Sequence, residues 1–190
     1  KSAHDAVRAA RSYVQAGKDW VVDMDITKFF DRVNHDILMN RIGQTIRDKR
    51  VLSLIGRYLR AGVMVEGLVQ ASEEGTLSPL LANIYLDALD QELARRGLAF
   101  SRYADDCNIY VSSQRSAQRV LESLTGWIAK HLRLEVNASK SGTGRPWERK
   151  FLGFRINPQG EIEAAPSSVE RFKTKVREMW RSCQSQTSEE

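Results

Sequence analysis

Phe100-Ser101-Arg102-Tyr103-Ala104-Asp105-Asp106-Cys107-Asn108-Ile109-Tyr110-Val111 reads as strand, turn, strand, with two adjacent acids at the turn. In a regular strand, neighbouring side chains point to opposite faces. A tight turn breaks that alternation, so both acids can approach one cation. Held together without a cation, two carboxylates repel, and one takes up a proton. Mg²⁺ relieves the conflict by taking oxygen ligands at roughly 2.1 Å. A D-D pair is also ordinary turn chemistry, so the metal reading needs a third acid. Asp25 is the candidate, near the end of the buried run Trp20-Val21-Val22-Asp23-Met24-Asp25-Ile26. Carboxylates from two neighbouring strands can hold two cations about 4 Å apart, as in-line nucleotidyl transfer requires. Asp23, two residues before Asp25, shares its strand face.

Outward from this stretch, the pattern alternates helix and strand. Ser2-Ala3-His4-Asp5 caps a first helix with Ala6, Val7, Ala10 and Val14 on one face, and Gly17 ends it. After the Trp20–Ile26 strand, Phe29 to Ile42 follows helical spacing, with Asn34 as an internal cap. Val51–Arg60 is amphipathic, and Ala61–Gln70 alternates like a hairpin. Ser78-Pro79 opens a helix to about Arg96, closed by Gly97. A helix over Ser116–His131, a strand over Leu132–Val136 and a hairpin of Phe151–Ile156 with Ile162–Ala164 come next. Ser167–Arg181 is a last helix, with Val169, Phe172, Val176 and Trp180 on one side. The plan is α+β, an antiparallel sheet packed on helices.

Composition agrees with a globular chain. Its 190 residues suit one domain with a small appendage, at 42% hydrophobic and 28% charged. The net charge of +5 permits a nucleic-acid partner without demanding one. From Lys140 to Arg181, ten Lys or Arg face five Glu, which suits a phosphate-backbone path. Cys107 and Cys183 lack metal-ligand spacing, so a zinc site or disulfide framework is excluded, and a reducing compartment fits. No apolar run reaches membrane-spanning length. The first residue is Lys1, and Thr187-Ser188-Glu189-Glu190 has capping-box form, so the ends read as cut from a longer protein.

Several segments together resemble the group II intron type of reverse transcriptase. Asp25-Ile26-Thr27-Lys28-Phe29-Phe30-Asp31 is similar to that family's first catalytic motif. Leu77-Ser78-Pro79-Leu80-Leu81-Ala82-Asn83-Ile84-Tyr85-Leu86 resembles the helix after its nucleotide-binding loop. Tyr103-Ala104-Asp105-Asp106 resembles its catalytic hairpin, and Lys150-Phe151-Leu152-Gly153-Phe154 its primer grip. The order is kept over almost the whole chain.

The resemblance implies a palm over residues 1–165 with partial fingers, and the start of a thumb or maturase region over 166–190. It implies RNA-directed DNA synthesis with Mg²⁺, or Mn²⁺ in its place, held by Asp25, Asp105 and Asp106. Phe30 becomes the gate under the incoming sugar, and Lys140 a partner of the nucleotide phosphates. Leu152, Gly153 and Phe154 become the primer grip, while Arg145 and Lys150 contact nucleic acid. The implied partners are RNA template, DNA primer, deoxynucleoside triphosphates and intron RNA, in a prokaryotic cytoplasm and with no membrane. Two alternatives stay open: a non-polymerising splicing factor that uses the palm as an RNA platform, and a retron or defence-type enzyme. One departure matters, because Gly75-Thr76 runs directly into Leu77-Ser78-Pro79, where the family carries a P-Q-G-G type loop. That gap, with the missing upstream fingers, predicts weak or absent synthesis by these residues alone.

Overall fold

The computed structural model describes residues 2–27, 29–60 and 78–186. The expected 61–70 hairpin and the Thr76–Leu77 junction lie outside the described residues. Antiparallel pairing builds a four-stranded sheet in the order β2-β3-β1-β4. Its strands are β1 (Trp20–Met24), β2 (Ala99–Tyr103), β3 (Asp106–Val111) and β4 (Gly142–Gly144). The β1–β3 register runs from Trp20 opposite Val111 to Met24 opposite Cys107. A separate hairpin pairs β5 (Phe154–Ile156) with β6 (Ile162–Ala164).

Strand alternation sorts the β1 and β3 side chains onto two faces. Val22, Met24, Cys107, Ile109 and Val111 enter the main core, on the rear face. There they meet α3 (His35–Thr45), α4 (Lys49–Arg60), α5 (Ser78–Arg95) and α6 (Gln114–Leu132), through residues such as Leu38, Leu59, Leu89 and Ile128. Val21 and Tyr110 turn to the front face. They join a second cluster with Ala6, Val7 and Ala10 of α1 (Ala3–Gln15) and with Phe151 and Ile156 beside the hairpin. Fully burying each large aliphatic side chain is worth about 1.5–3 kcal/mol, so the main core dominates stability.

Local chemistry sets the element ends. Ser2 and Asp5 form a reciprocal capping box on α1. The Asn34 side chain accepts from the Ile37 N–H, so it starts α3 anew after the short α2 (Phe29–Arg32). Ser113 caps α6, two residues earlier than the apolar period alone indicates. The buried Tyr85 hydroxyl donates to the Leu132 carbonyl at 2.5 Å and so satisfies the C-terminus of α6.

Two sequence expectations need correction. The strand expected over Leu132–Val136 is one isolated bridge, Val136 opposite Ile26. Leu132 ends α6 and Arg133 takes a left-handed φ of 50°, which breaks any ladder, although Leu134 is still buried. Phe151–Ile156 is not one strand: Phe151 to Phe154 is a two-residue turn, with reciprocal bonds of 2.7 and 2.9 Å. Its central residues, Leu152 and Gly153, have φ of 52° and 83°, the type I′ signature. Gly142-Thr143-Gly144, to which the sequence pattern assigns no element, is a sheet strand paired with Val21–Asp23.

α7 (Pro166–Gln186) carries its apolar residues on one side as expected, yet Phe172 and Trp180 are 67% and 68% exposed. Tyr85→Phe should cost about 1–3 kcal/mol, because it strands the Leu132 carbonyl in the core. Urea unfolding with an unchanged slope checks this.

Candidate active site

The catalytic-type carboxylates stand where β1 and the β2–β3 turn reach the front edge of the sheet. Because Met24 pairs with Cys107, the next residues toward that edge, Asp25 and Asp106, also face one another. Asp25 sits just past β1, and its N–H donates to Ser141 Oγ at 2.9 Å. The Asp25 carbonyl accepts from the Asn137 N–H at 2.8 Å. The 137–141 segment is thereby tied to the backbone of Asp25. Asn137 Oδ1 accepts from the Ser139 and Lys140 N–H groups and tightens the same turn. This turn delivers Lys140 Nζ to 3.8 Å from Asp25 Oδ2.

One cavity is lined by Asp23, Asp25, Asp106, Lys140, Lys150, Leu152 and Gly153, among others. The structure therefore brings together two of the three expected metal-site acids, the expected phosphate-site lysine and part of the expected primer grip. Asp105 lies on the neighbouring turn and outside that lining. Phe154 turns toward the second apolar cluster and sits 5.9 Å from the His4 ring. Arg145 is engaged elsewhere, ion-paired with Asp19 and stacked over Trp20 and Trp147 at 4.6 and 5.5 Å. Phe30 is placed in α2, and its side chain lies outside the described residues.

The electrostatics are those of crowded acids. Burial pushes the Asp106 carboxyl up from its ordinary value, and the Asp105 and Asp25 charges push the same way. Asp23 is pushed up to about 6 by burial, with Asp106 and Asp25 adding and Arg149 opposing. A divalent cation relieves this repulsion, which is the observation that fits one here. Among the described residues, no three acidic, histidine or cysteine side chains stand close enough to enclose an ion together. Asp25 and Asp106, with Asp105 on the adjoining turn, are hard oxygen donors of the kind that would hold a divalent cation. Cys107, fully buried behind the turn, has its thiol pushed up to about 12, mainly by that burial.

Sequence reasoning missed the brace behind the turn. Arg102 donates to both Asp90 carboxylate oxygens, at 2.7 and 2.6 Å. It also donates to Asn83 Oδ1 at 3.0 Å and to the Ala104 carbonyl at 2.6 Å. Ala104 has a φ of 54°, a strained value for a residue with a side chain. The guanidinium fork clamps that strained turn to α5. The available signal was a lone Arg before Tyr103, with its partner acid twelve residues upstream and on another element.

This sheet, with its acidic turn between β2 and β3, is a reverse-transcriptase palm. The chain belongs to the reverse transcriptase (RNA-dependent DNA polymerase) family, whose sequence profile matches residues 1–156. Among its relatives, protein YkfC of Escherichia coli is 27% identical over 74% of this chain and 48% of its own length. The group II intron-encoded protein LtrA of Lactococcus lactis is 34% identical over 54% of this chain and 18% of LtrA. The resemblance to intron-encoded proteins is thus borne out. The chain spans about half of YkfC and under a fifth of LtrA. Apo telomerase from Candida tropicalis shares the fold with a TM-score of 0.59 at 13% identity, over 88% of this chain and 37% of the telomerase. A Candida albicans telomerase in complex with a telomeric RNA fragment scores 0.56 at 15% identity, over 86% and 33%. No helix among the described residues is long and apolar enough to cross a membrane.

Arg102→Ala should lower unfolding free energy by on the order of 3 kcal/mol, because it leaves Asp90 without its partner. The double variant Arg102→Ala/Asp90→Asn should be little worse than the single one when both are compared by denaturant unfolding.

Proposed function

We propose that this chain is the polymerising palm of an RNA-directed DNA polymerase of the group II intron type. The observation that carries the reading is a front-face cavity shared by Asp25, Asp106, Lys140 and residues 151–153. The template is RNA, the primer DNA and the substrates deoxynucleoside triphosphates. The whole protein also binds its intron RNA, assists splicing and works in the cytoplasm. Residues 1–165 form the palm with part of the fingers, and 166–190 begin the thumb.

In the reaction, the primer 3′-hydroxyl loses its proton and its oxygen bonds to the α-phosphorus of the nucleotide. The bond from that phosphorus to the bridging oxygen breaks, and pyrophosphate leaves. Asp25, Asp105 and Asp106 would hold Mg²⁺, or Mn²⁺, which when bound supplies Lewis acidity to the attacking and departing oxygens. Lys140 sits beside Asp25, where it neutralises the departing phosphates. The Leu152-Gly153 turn, rigid in its two-residue geometry, seats the primer end, with Phe154 anchoring it to the apolar cluster. Phe30 closes the space under the sugar against a 2′-hydroxyl. Lys150 tracks the nucleic-acid backbone, and Arg145 supports the same lobe through Trp20 and Trp147.

Primer extension on an RNA template tests the reading. The full-length protein should extend a DNA primer with deoxynucleotides and Mg²⁺, and Asp105→Asn should reduce this to background while RNA binding persists. A folded native protein that binds RNA tightly and never extends would overturn the polymerase reading in favour of a splicing factor.

A further inference from the structure

The front face of the sheet changes character along β1 and β3. At the edge stand Asp25 and Asp106. Farther in, Val21 and Tyr110 are covered by α1 and the hairpin lobe. Between them lies one polar rung, Asp23 opposite Asn108. The Asn108 amide nitrogen, turned toward β1, donates to Asp23 Oδ1 at 3.1 Å. From the other side Arg149 brings Nη1 to 4.0 Å from Asp23 Oδ2 and donates through Nη2 to the Thr143 carbonyl at 3.3 Å. Arg149 precedes the 151–154 turn by two residues. Space for its guanidinium exists because residue 142 is glycine: a Cβ there would stand 2.5 Å from Nη2.

The β5–β6 hairpin forms its own two-stranded sheet, separate from the four-stranded one. Its position over the carboxylates is set by the short 145–150 connection from β4 and by side chains. The apolar cluster holds the lobe through Phe151, Leu152, Phe154, Ile156 and Ile162. At the near end, beside the site, the Asn108–Asp23–Arg149 chain connects sheet to lobe.

We propose that Asn108, Asp23 and Arg149 are positioning residues that fix the 151–154 turn, and so the primer end, at its working height above Asp25 and Asp106. The inference rests on the primer-grip reading given above. Asp23 then acts through Arg149 and is not a cation ligand. A carboxylate at this rung is costly to bury unless paired, and both of its partners belong to the strut.

Gly142→Ala offers a test that leaves both charged groups intact, since the new methyl displaces only the end of the Arg149 side chain. In full-length Cys183→Ser protein, spin labels at the exposed positions Gln159 and Arg119 report the distance from hairpin to α6. The native distribution should be narrow. Arg149→Met, Asp23→Asn and Gly142→Ala should each broaden or shift it, and Arg149→Lys should restore most of it. Unchanged distributions in folded variants, checked by circular dichroism, overturn the strut. In single-nucleotide incorporation, the same three variants should lower kcat by about 10- to 100-fold with nucleotide KM unchanged. Arg149→Met/Asp23→Asn should be no worse than either single variant. Additive losses, or recovery of Asp23→Asn at high Mg²⁺, would make Asp23 a cation ligand and overturn the proposal. Native protein that shows the distance response but no incorporation would leave the strut standing and remove the polymerase reading instead.

Discussion

Antiparallel pairing of β1 with β3, with Met24 opposite Cys107, is the interaction on which the rest of the molecule depends. It fixes which side chains face forward. A slip of β1 by one residue would turn Asp23 and Asp25 into the helix-packed core and push Val22 and Met24 out to the front face. The core therefore protects the site register: the apolar rear face cannot be kept buried unless the acids face forward. Val22, Leu38, Ile109, Leu124 and Ile128 are all fully buried behind that face, so the penalty for slippage is large.

With the register fixed, the front face is graded. Its inner end is apolar and covered, its outer edge is acidic, and a paired polar rung separates the two. Burial, and then the charges of the neighbouring acids, push the Asp23 and Asp106 carboxyls up. The fold holds them together by bracing from behind and from the side. Arg102 clamps the strained Ala104 turn to α5. Ser141 and Asn137 grip the backbone of Asp25. Rigid supports of this kind let a cation bind without reorganising the site.

Much of this was legible in the sequence because the signals were local. The alternation in Trp20–Ile26, the strand-turn-strand around Asp105-Asp106 and the caps at Ser2 and Asn34 all read directly. Four motifs in family order pointed to the palm. What stayed hidden depends on distant partners. Gly142-Thr143-Gly144 has no strand propensity, yet it pairs with β1, and its glycines leave room for the Arg149 side chain. The I′ turn at Leu152-Gly153 sits inside an apolar run that reads as strand. Leu132–Val136 alternates correctly, but Arg133 turns left-handed and leaves one bridge in place of a ladder. The Arg102–Asp90 clamp and the Asp23–Arg149 approach join different elements, which no spacing rule reveals.

The central claim of the proposed function is that Asp25 and Asp106, with Asp105 on the adjoining turn, take the cation while Asp23, one rung inward, does not. Anomalous scattering from crystals of the protein with primer–template and Mn²⁺ addresses it directly. The account predicts a manganese peak within bonding distance of Asp25 and Asp106 carboxylate oxygens, with Asp23 still paired to Asn108 and Arg149. A peak bonded to Asp23, or manganese bound away from this face altogether, would contradict it.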